Sequence, residues 1–218
     1  MDPARYFLYS AAAQQSEEGF RLLLCLRPWQ VGFSAHSCGI LLALMSEQFR
    51  RDRIIELLDL KPHPTCGFVA ETYRARQRIP DEALPTMYSG SRPFASVLYF
   101  MVTADAQIRL HRIRSDQMYH HYMGDPLEVL LLYPDGTGEI KIVGGDLEVG
   151  MRHQLLIPGG TFHTSRLRKG SAATAFALLG TTEWPGFESS DLELGEPTEL
   201  IAAYPTLRRD IEEFTNTR

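Results

Sequence analysis

Positive charge is scarce in this chain: 22 Lys and Arg stand against 27 Asp and Glu over 218 residues, for a formal charge of −5. With no basic surplus to neutralise a phosphate backbone, nucleic acid is not an expected partner. Cysteine is scarce as well. Cys25, Cys38 and Cys66 are odd in number and far apart, matching neither a disulfide framework nor the paired thiolates of structural zinc, and they point to a reducing, cytoplasmic setting. Long apolar runs are missing. The stretch 28–46 lacks Asp, Glu, Lys and Arg, but Gln30, Ser34, His36 and Ser37 interrupt it. No segment therefore supplies the roughly 20 apolar residues of a spanning helix, and no membrane partner is expected. The run Arg21–Leu26 is broken by Arg27-Pro28 before it can serve as a secretory leader. Neither Gly-x-Ser-x-Gly nor Gly-x-x-x-x-Gly-Lys-Ser/Thr occurs, which argues against covalent serine catalysis and ATP hydrolysis.

What is present is a strand-rich pattern. Residues 1–44 read as an N-terminal extension of undetermined order with no nameable chemistry, and 45–218 as a single domain with its core at about 54–205. Ser46 is a candidate N-cap, and Phe49, Ile54, Leu57 and Leu58 follow at helical spacing until Pro62 and Pro64 forbid continuation. Short runs rich in β-branched and aromatic residues then predict strands at 67–75, 94–102, 107–114, 117–123, 127–133, 139–143, 152–157, 161–166 and 172–182. Pro134-Asp135-Gly136-Thr137-Gly138 makes a hairpin turn between two of them. With no ten-residue helical patterns between strands, an antiparallel sandwich or barrel is expected rather than a parallel α/β sheet. Beyond Trp184 the chain reads as loop, then Leu207, Ile211 and Phe214 suggest a terminal helix.

Three stretches carry a family likeness. They are Leu60–Arg74, His111–Leu127, and Gly145–Gly150 running on to Ile157-Pro158-Gly159-Gly160-Thr161-Phe162-His163. In their order and spacing they resemble the DUF985 branch of the cupin superfamily over about residues 54–205. The resemblance implies an all-β fold, a double-stranded β-helix or antiparallel jelly roll with short flanking helices, whose interior opens as a small-molecule pocket. It also implies a homodimer, since cupins commonly pair.

Cupins usually bind a divalent metal through two His and a Glu in a first motif and a His in a second, Pro-x-Gly-x-x-His. Pro158, Gly160 and His163 match the second motif. In the first, His111 stands near the paired His and Gln117 where Glu is expected. The implied ligand set His111, Gln117 and His163 lacks a carboxylate, so any divalent ion, Zn²⁺ or Ni²⁺, would be weakly held. His120 and His121 are adjacent on one strand, so only one of them can face inward. Strict alternation would also place His111 opposite Ile108 and Leu110.

Other pocket candidates follow from strand faces. Glu71 and Tyr73 share a face by alternation and could act as base and acid beside His111 and His163. Gln117, Tyr119, His121, Phe100, Phe162 and Trp184 are candidate ligand-binding residues. Two functional readings follow. In one, the protein is an isomerase or epimerase acting on a sugar or sugar nucleotide, since the family resembles jelly-roll sugar epimerases. In the other, it is a non-catalytic cupin that binds or senses a small molecule with a degraded metal site.

Overall fold

The computed structural model of this chain describes residues 50–170 and 174–215. The N-terminal extension 1–44 lies outside the described residues. A first helix, α1, spans residues 50–57. Its Ile54 and Ile55 pack with Leu60, Met101, Phe176 and Leu178 on the outer face of a sheet.

That sheet has six strands in the order β1-β2-β5-β12-β7-β10, and a second has five in the order β13-β6-β11-β8-β9. In the first are β1 (Lys61–His63), β2 (Gly67–Arg74), β5 (Ser96–Thr103), β7 (Asp116–Gly124), β10 (Gln154–Ile157) and β12 (Phe176–Trp184). The second holds β6 (Ile108–Arg112), β8 (Leu127–Leu132), β9 (Gly138–Val143), β11 (Phe162–Leu167) and β13 (Glu193–Leu194). A small pair, β3 (Arg78–Ile79) and β4 (Arg92–Pro93), stands apart. Every pairing between named strands is antiparallel. Two antiparallel sheets packed face to face with non-sequential strand order make the jelly roll expected of the sequence.

All nine expected strands are present. β1, β3, β4 and β13, of two or three residues each, are too short to leave a periodic trace. The tail beyond Trp184 is more ordered than a loop, with α2 (Pro197–Ala203) preceding the expected terminal helix, α3 (Arg208–Thr215). Leu200, Ile211 and Phe214 pack with Leu110, Leu130 and Leu132 on the outside of the five-stranded sheet. The Arg166 guanidinium lies 3.9 Å over the Phe214 ring and donates to Glu128 and to the Glu213 carbonyl, which ties α3 down. Between the sheets, Phe100, Val102, Ile108, Leu131, Ile157 and Leu179 belong to the inner core. Among the described residues no helix is long and apolar enough to cross a membrane.

Loop 85–91 is locked to the tail by a buried ion pair. Both Arg92 and Asp191 are almost wholly buried and joined by two hydrogen bonds of 2.6 and 2.7 Å. Arg92 Nη1 donates further to the carbonyls of Ser89 and Gly90. A charge-assisted pair with its remaining donors satisfied can tolerate removal from water.

Candidate functional site

Between the sheets, at one end of the barrel, a cavity of about 210 Å³ is lined by strands of both. The turn that delivers a histidine behind its wall depends on glycine. A Cβ on Gly159 would stand 2.1 Å from the Arg114 carbonyl oxygen, and Gly160 has φ +79°. The first position tolerates no side chain, and the second uses the left-handed region open to glycine. The Gly159 N–H donates to Asp116 Oδ1 at 2.7 Å, and the Gly160 N–H to the Ile113 carbonyl at 2.8 Å. So pinned, the chain enters β11 with His163 fully buried.

His111 reaches the lumen by a device that alternation does not reveal. β6 pairs with β11 through His163↔His111 and Ser165↔Ile108, so three steps along β6 oppose two along β11. That extra residue is a β-bulge, which re-aims the side chains after it. Ile108 and His111 consequently both line the cavity, while Leu110 turns outward beneath the C-terminal helices. The expectation that His111 and Ile108 face opposite ways is thus corrected.

The two imidazoles meet with ring centroids 4.3 Å apart. His111 Nδ1 lies 2.7 Å from the Arg109 carbonyl oxygen, and His163 Nδ1 lies 3.3 Å from that of Thr161. A carbonyl only accepts, so each Nδ1 carries the proton and each Nε2 presents a lone pair. Gln117 Nε2 donates to His163 Nε2 at 3.5 Å. Burial holds both imidazoles below their ordinary titration range, His163 the further because His111 stands beside it. Both are neutral at pH 7. Tyr119 stacks on Phe100 at 4.8 Å and faces His163 at 6.0 Å, and burial raises its phenol so that the proton stays on. Phe100, Gln117 and Tyr119 line the cavity.

β12 contributes two residues that the sequence reading passed over. Thr181 and Glu183 are four and six per cent exposed, and both line the cavity. The Thr181 hydroxyl has no hydrogen-bond partner. Glu183 accepts from Ser96 Oγ at 2.6 Å, and burial pushes its carboxyl up to about 7 against the downward pull of the Ser96 hydroxyl and Arg74. The signal was in the strand: a Glu within Phe176–Trp184, two residues from Thr181, shares the inward face with Leu179. Cys66 also lines the cavity, and burial raises its thiol to about 11, so it is an unreactive thiol there.

The remaining candidates lie elsewhere. β2 and β5 shift register between Glu71↔Leu98 and Tyr73↔Val97, a bulge that puts Glu71 and Tyr73 on opposite faces, where alternation had put them together. Glu71 is held at the rim by three hydrogen bonds from Arg74, and Tyr73 lies half-exposed on the outer face. His121 Nε2 approaches the Asp125 carbonyl at 3.1 Å, and His120 lies between Thr182 and Gln154. Neither borders the cavity. Phe162 packs with the C-terminal helices, under the Arg112 guanidinium at 4.4 Å, and Trp184 is partly exposed at the strand end.

For the metal that the motif resemblance implies, the donors are two imidazole Nε2 atoms and one amide. Among the described residues no three His, Cys, Asp or Glu side chains converge closely enough to hold an ion. The neutral set does not fit a hard cation such as Mn²⁺ and offers a borderline ion too few donors for a closed site.

A family profile described as "Cupin superfamily (DUF985)" matches residues 52–195. The uncharacterized protein YML079W of Saccharomyces cerevisiae is 26% identical over 144 residues, covering 64% of this chain and 72% of its own length. A hypothetical protein from Leishmania major superposes with a TM-score of 0.67 at 24% identity, over 75% of this chain and 97% of that one. Protein SO0799 from Shewanella oneidensis does so at 0.64 and 27% identity, over 76% and 96%. With the profile spanning more than half of the chain and the jelly roll in place, the protein belongs to the DUF985 family of the cupin superfamily.

Proposed function

We propose that the barrel lumen binds a small polar molecule and moves a proton on it, an isomerase- or epimerase-type reaction. The observation that carries this reading is that a neutral imidazole and a carboxyl near its titration midpoint, the buried His111 and Glu183, line one cavity. His111 Nε2 has its lone pair available and acts as base, taking the proton from a carbon beside a carbonyl. Protonated Glu183 acts as acid and gives its proton to the carbonyl oxygen, so that an enediol forms. His111 then gives its proton to the neighbouring carbon while Glu183 takes one back from the enediol's other hydroxyl, which completes an isomerisation and restores both groups. Delivery to the original carbon from its other face, with the enediol proton going back to Glu183, completes an epimerisation. Tyr119 and Gln117 hold the substrate by donating hydrogen bonds.

Native mass spectrometry of the purified protein identifies what the lumen retains. That molecule, or a monosaccharide panel, is then incubated with the protein in D₂O. Deuterium enters the carbon beside the carbonyl with the native chain and not with His111→Asn or Glu183→Gln. Binding without exchange favours the second reading, a non-catalytic binding or sensing cupin, which the neutral donor set supports. A cytoplasmic setting accords with the free Cys66 thiol. Pairing into a homodimer is supported by the outer face of the six-stranded sheet, where Tyr73, Tyr122, Met123, Leu156 and Trp184 are exposed.

A further inference from the structure

We infer that the lumen selects an uncharged, hydroxyl-bearing molecule no larger than a free monosaccharide and rejects its phosphorylated or nucleotide-linked form. This rests on the lumen reading above and narrows it. Three observations carry the inference: an orphaned hydroxyl, the sign of the charges around the cavity, and its size.

Thr181 borders the cavity, and its hydroxyl is buried and has no partner. A buried polar group left unmade costs free energy, and one on a residue that lines a cavity is within a side-chain rotation of completing its bond with a ligand's hydroxyl or carbonyl. Around it the polar lining is neutral or acidic. Tyr119 and Gln117 donate, the His111 Nε2 accepts, the His63 imidazole is held below its ordinary range by burial, and Glu183 is the acid. Among the described residues no Lys or Arg lines the cavity. Arg74, close enough to act on Glu183, is committed to the Glu71 carboxylate and the Phe187 carbonyl. A phosphate entering here would lose its hydration with no cation to replace it and would face Glu183. Arg112 and Arg114 border an adjoining outer cleft, which shares Ile113 and Leu192 with the cavity, and are ion-paired there with Glu193 and Asp191 rather than lining the lumen. The volume agrees: about 210 Å³ is the space of roughly seven waters at ~30 Å³ each, below the ~300 Å³ where pockets for drug-sized ligands begin.

The test uses the full chain and matched probes, free aldopentoses and aldohexoses against their sugar phosphates, by titration calorimetry. Neutral sugars are expected to bind, and phosphates to bind at least tenfold more weakly. Thr181→Val keeps the shape and removes the orphaned hydroxyl, so the unliganded variant should melt at or above the native temperature while affinity for the neutral sugar falls about 3- to 10-fold. Phosphates binding as well as the free sugars, or Thr181→Val leaving affinity unchanged, overturns the inference. So does an absence of binding by every neutral probe. Failure of the lumen reading looks different: a probe of either class would bind equally to the native chain, His111→Asn and Glu183→Gln.

Discussion

Glu183→Gln isolates the carboxyl on which the proposed chemistry depends. In the folded protein burial raises this group from its ordinary 4.5 to about 7, and a displacement of that size is worth about 3 kcal/mol. The folded state holds this proton more tightly than the unfolded chain does. Its contribution to stability is therefore fully present below pH 4.5 and is lost as pH rises through about 7. His111 and His163 act in the opposite sense. Their lowered values make the folded state resist protonation, and stability is lost as pH falls below their ordinary 6.5. Those terms are common to native chain and variant and cancel in the difference. Gln preserves the side-chain length and an oxygen for the Ser96 hydroxyl but does not titrate. Urea unfolding at pH 5, 6, 7 and 8.5 should show the variant gaining about 2–3 kcal/mol on the native chain from the acid to the alkaline end, roughly 4–12 °C in Tm for a domain of this size. A difference that stays constant across the series would refute the reasoning, because Glu183 would then titrate alike in both states.

Asp191→Ala should destabilise the fold by about 3–5 kcal/mol by stranding the buried Arg92 guanidinium, as chemical denaturation would report; a loss under 1 kcal/mol would mean that water reaches the pair. Elemental analysis of purified protein should find substoichiometric divalent metal, and His163→Ala should abolish what Zn²⁺ or Ni²⁺ binding there is. Gln117→Glu combined with Glu183→Gln should tighten that binding, whereas one firmly held ion surviving His163→Ala would place the ligands elsewhere. Light scattering at micromolar concentration should return twice the 24.7 kDa chain mass, and a monomer would refute the homodimer.

The sheets were legible because their signal is repeated. Each of the nine longer strands repeats its β-branched and aromatic preference over four to nine residues, and Pro134–Gly138 and Pro158–Gly160 announce their own turns. The histidines of the two motifs were legible for a different reason: a His three residues beyond Gly160 can point only a few ways once the glycines allow the turn. What alternation misplaced lies at bulges. One extra residue on β6 brings His111 to the face of Ile108, and one on β2 separates Tyr73 from Glu71. An inserted residue leaves no trace in composition, since it is a property of two strands and their register together. Phe162 was misread because both faces of β11 are buried, one in the lumen and one beneath α2 and α3, so apolar character alone does not say which side is the pocket.

The exchange of charge between β7 and β12 follows from the same logic of register. Gln117 occupies the place where the motif leads one to expect a carboxylate, and its Cα partner across the ladder is Glu183. Directly opposed residues on one face hold their Cβ atoms about 5 Å apart. The lumen therefore retains an inward acid, moved one strand sideways from the motif position. There it accepts a hydrogen bond from Ser96, while Gln117 turns its amide to the Nε2 of His163. A carboxylate at 117 would face His163 as a second ligand to a cation. An amide there instead occupies that lone pair, and the acid on β12 is left protonatable. A neutral amide at the motif position and one acid across the ladder give the pocket the donors and acceptors of a hydrogen-bonding site rather than the carboxylate of a cation cage.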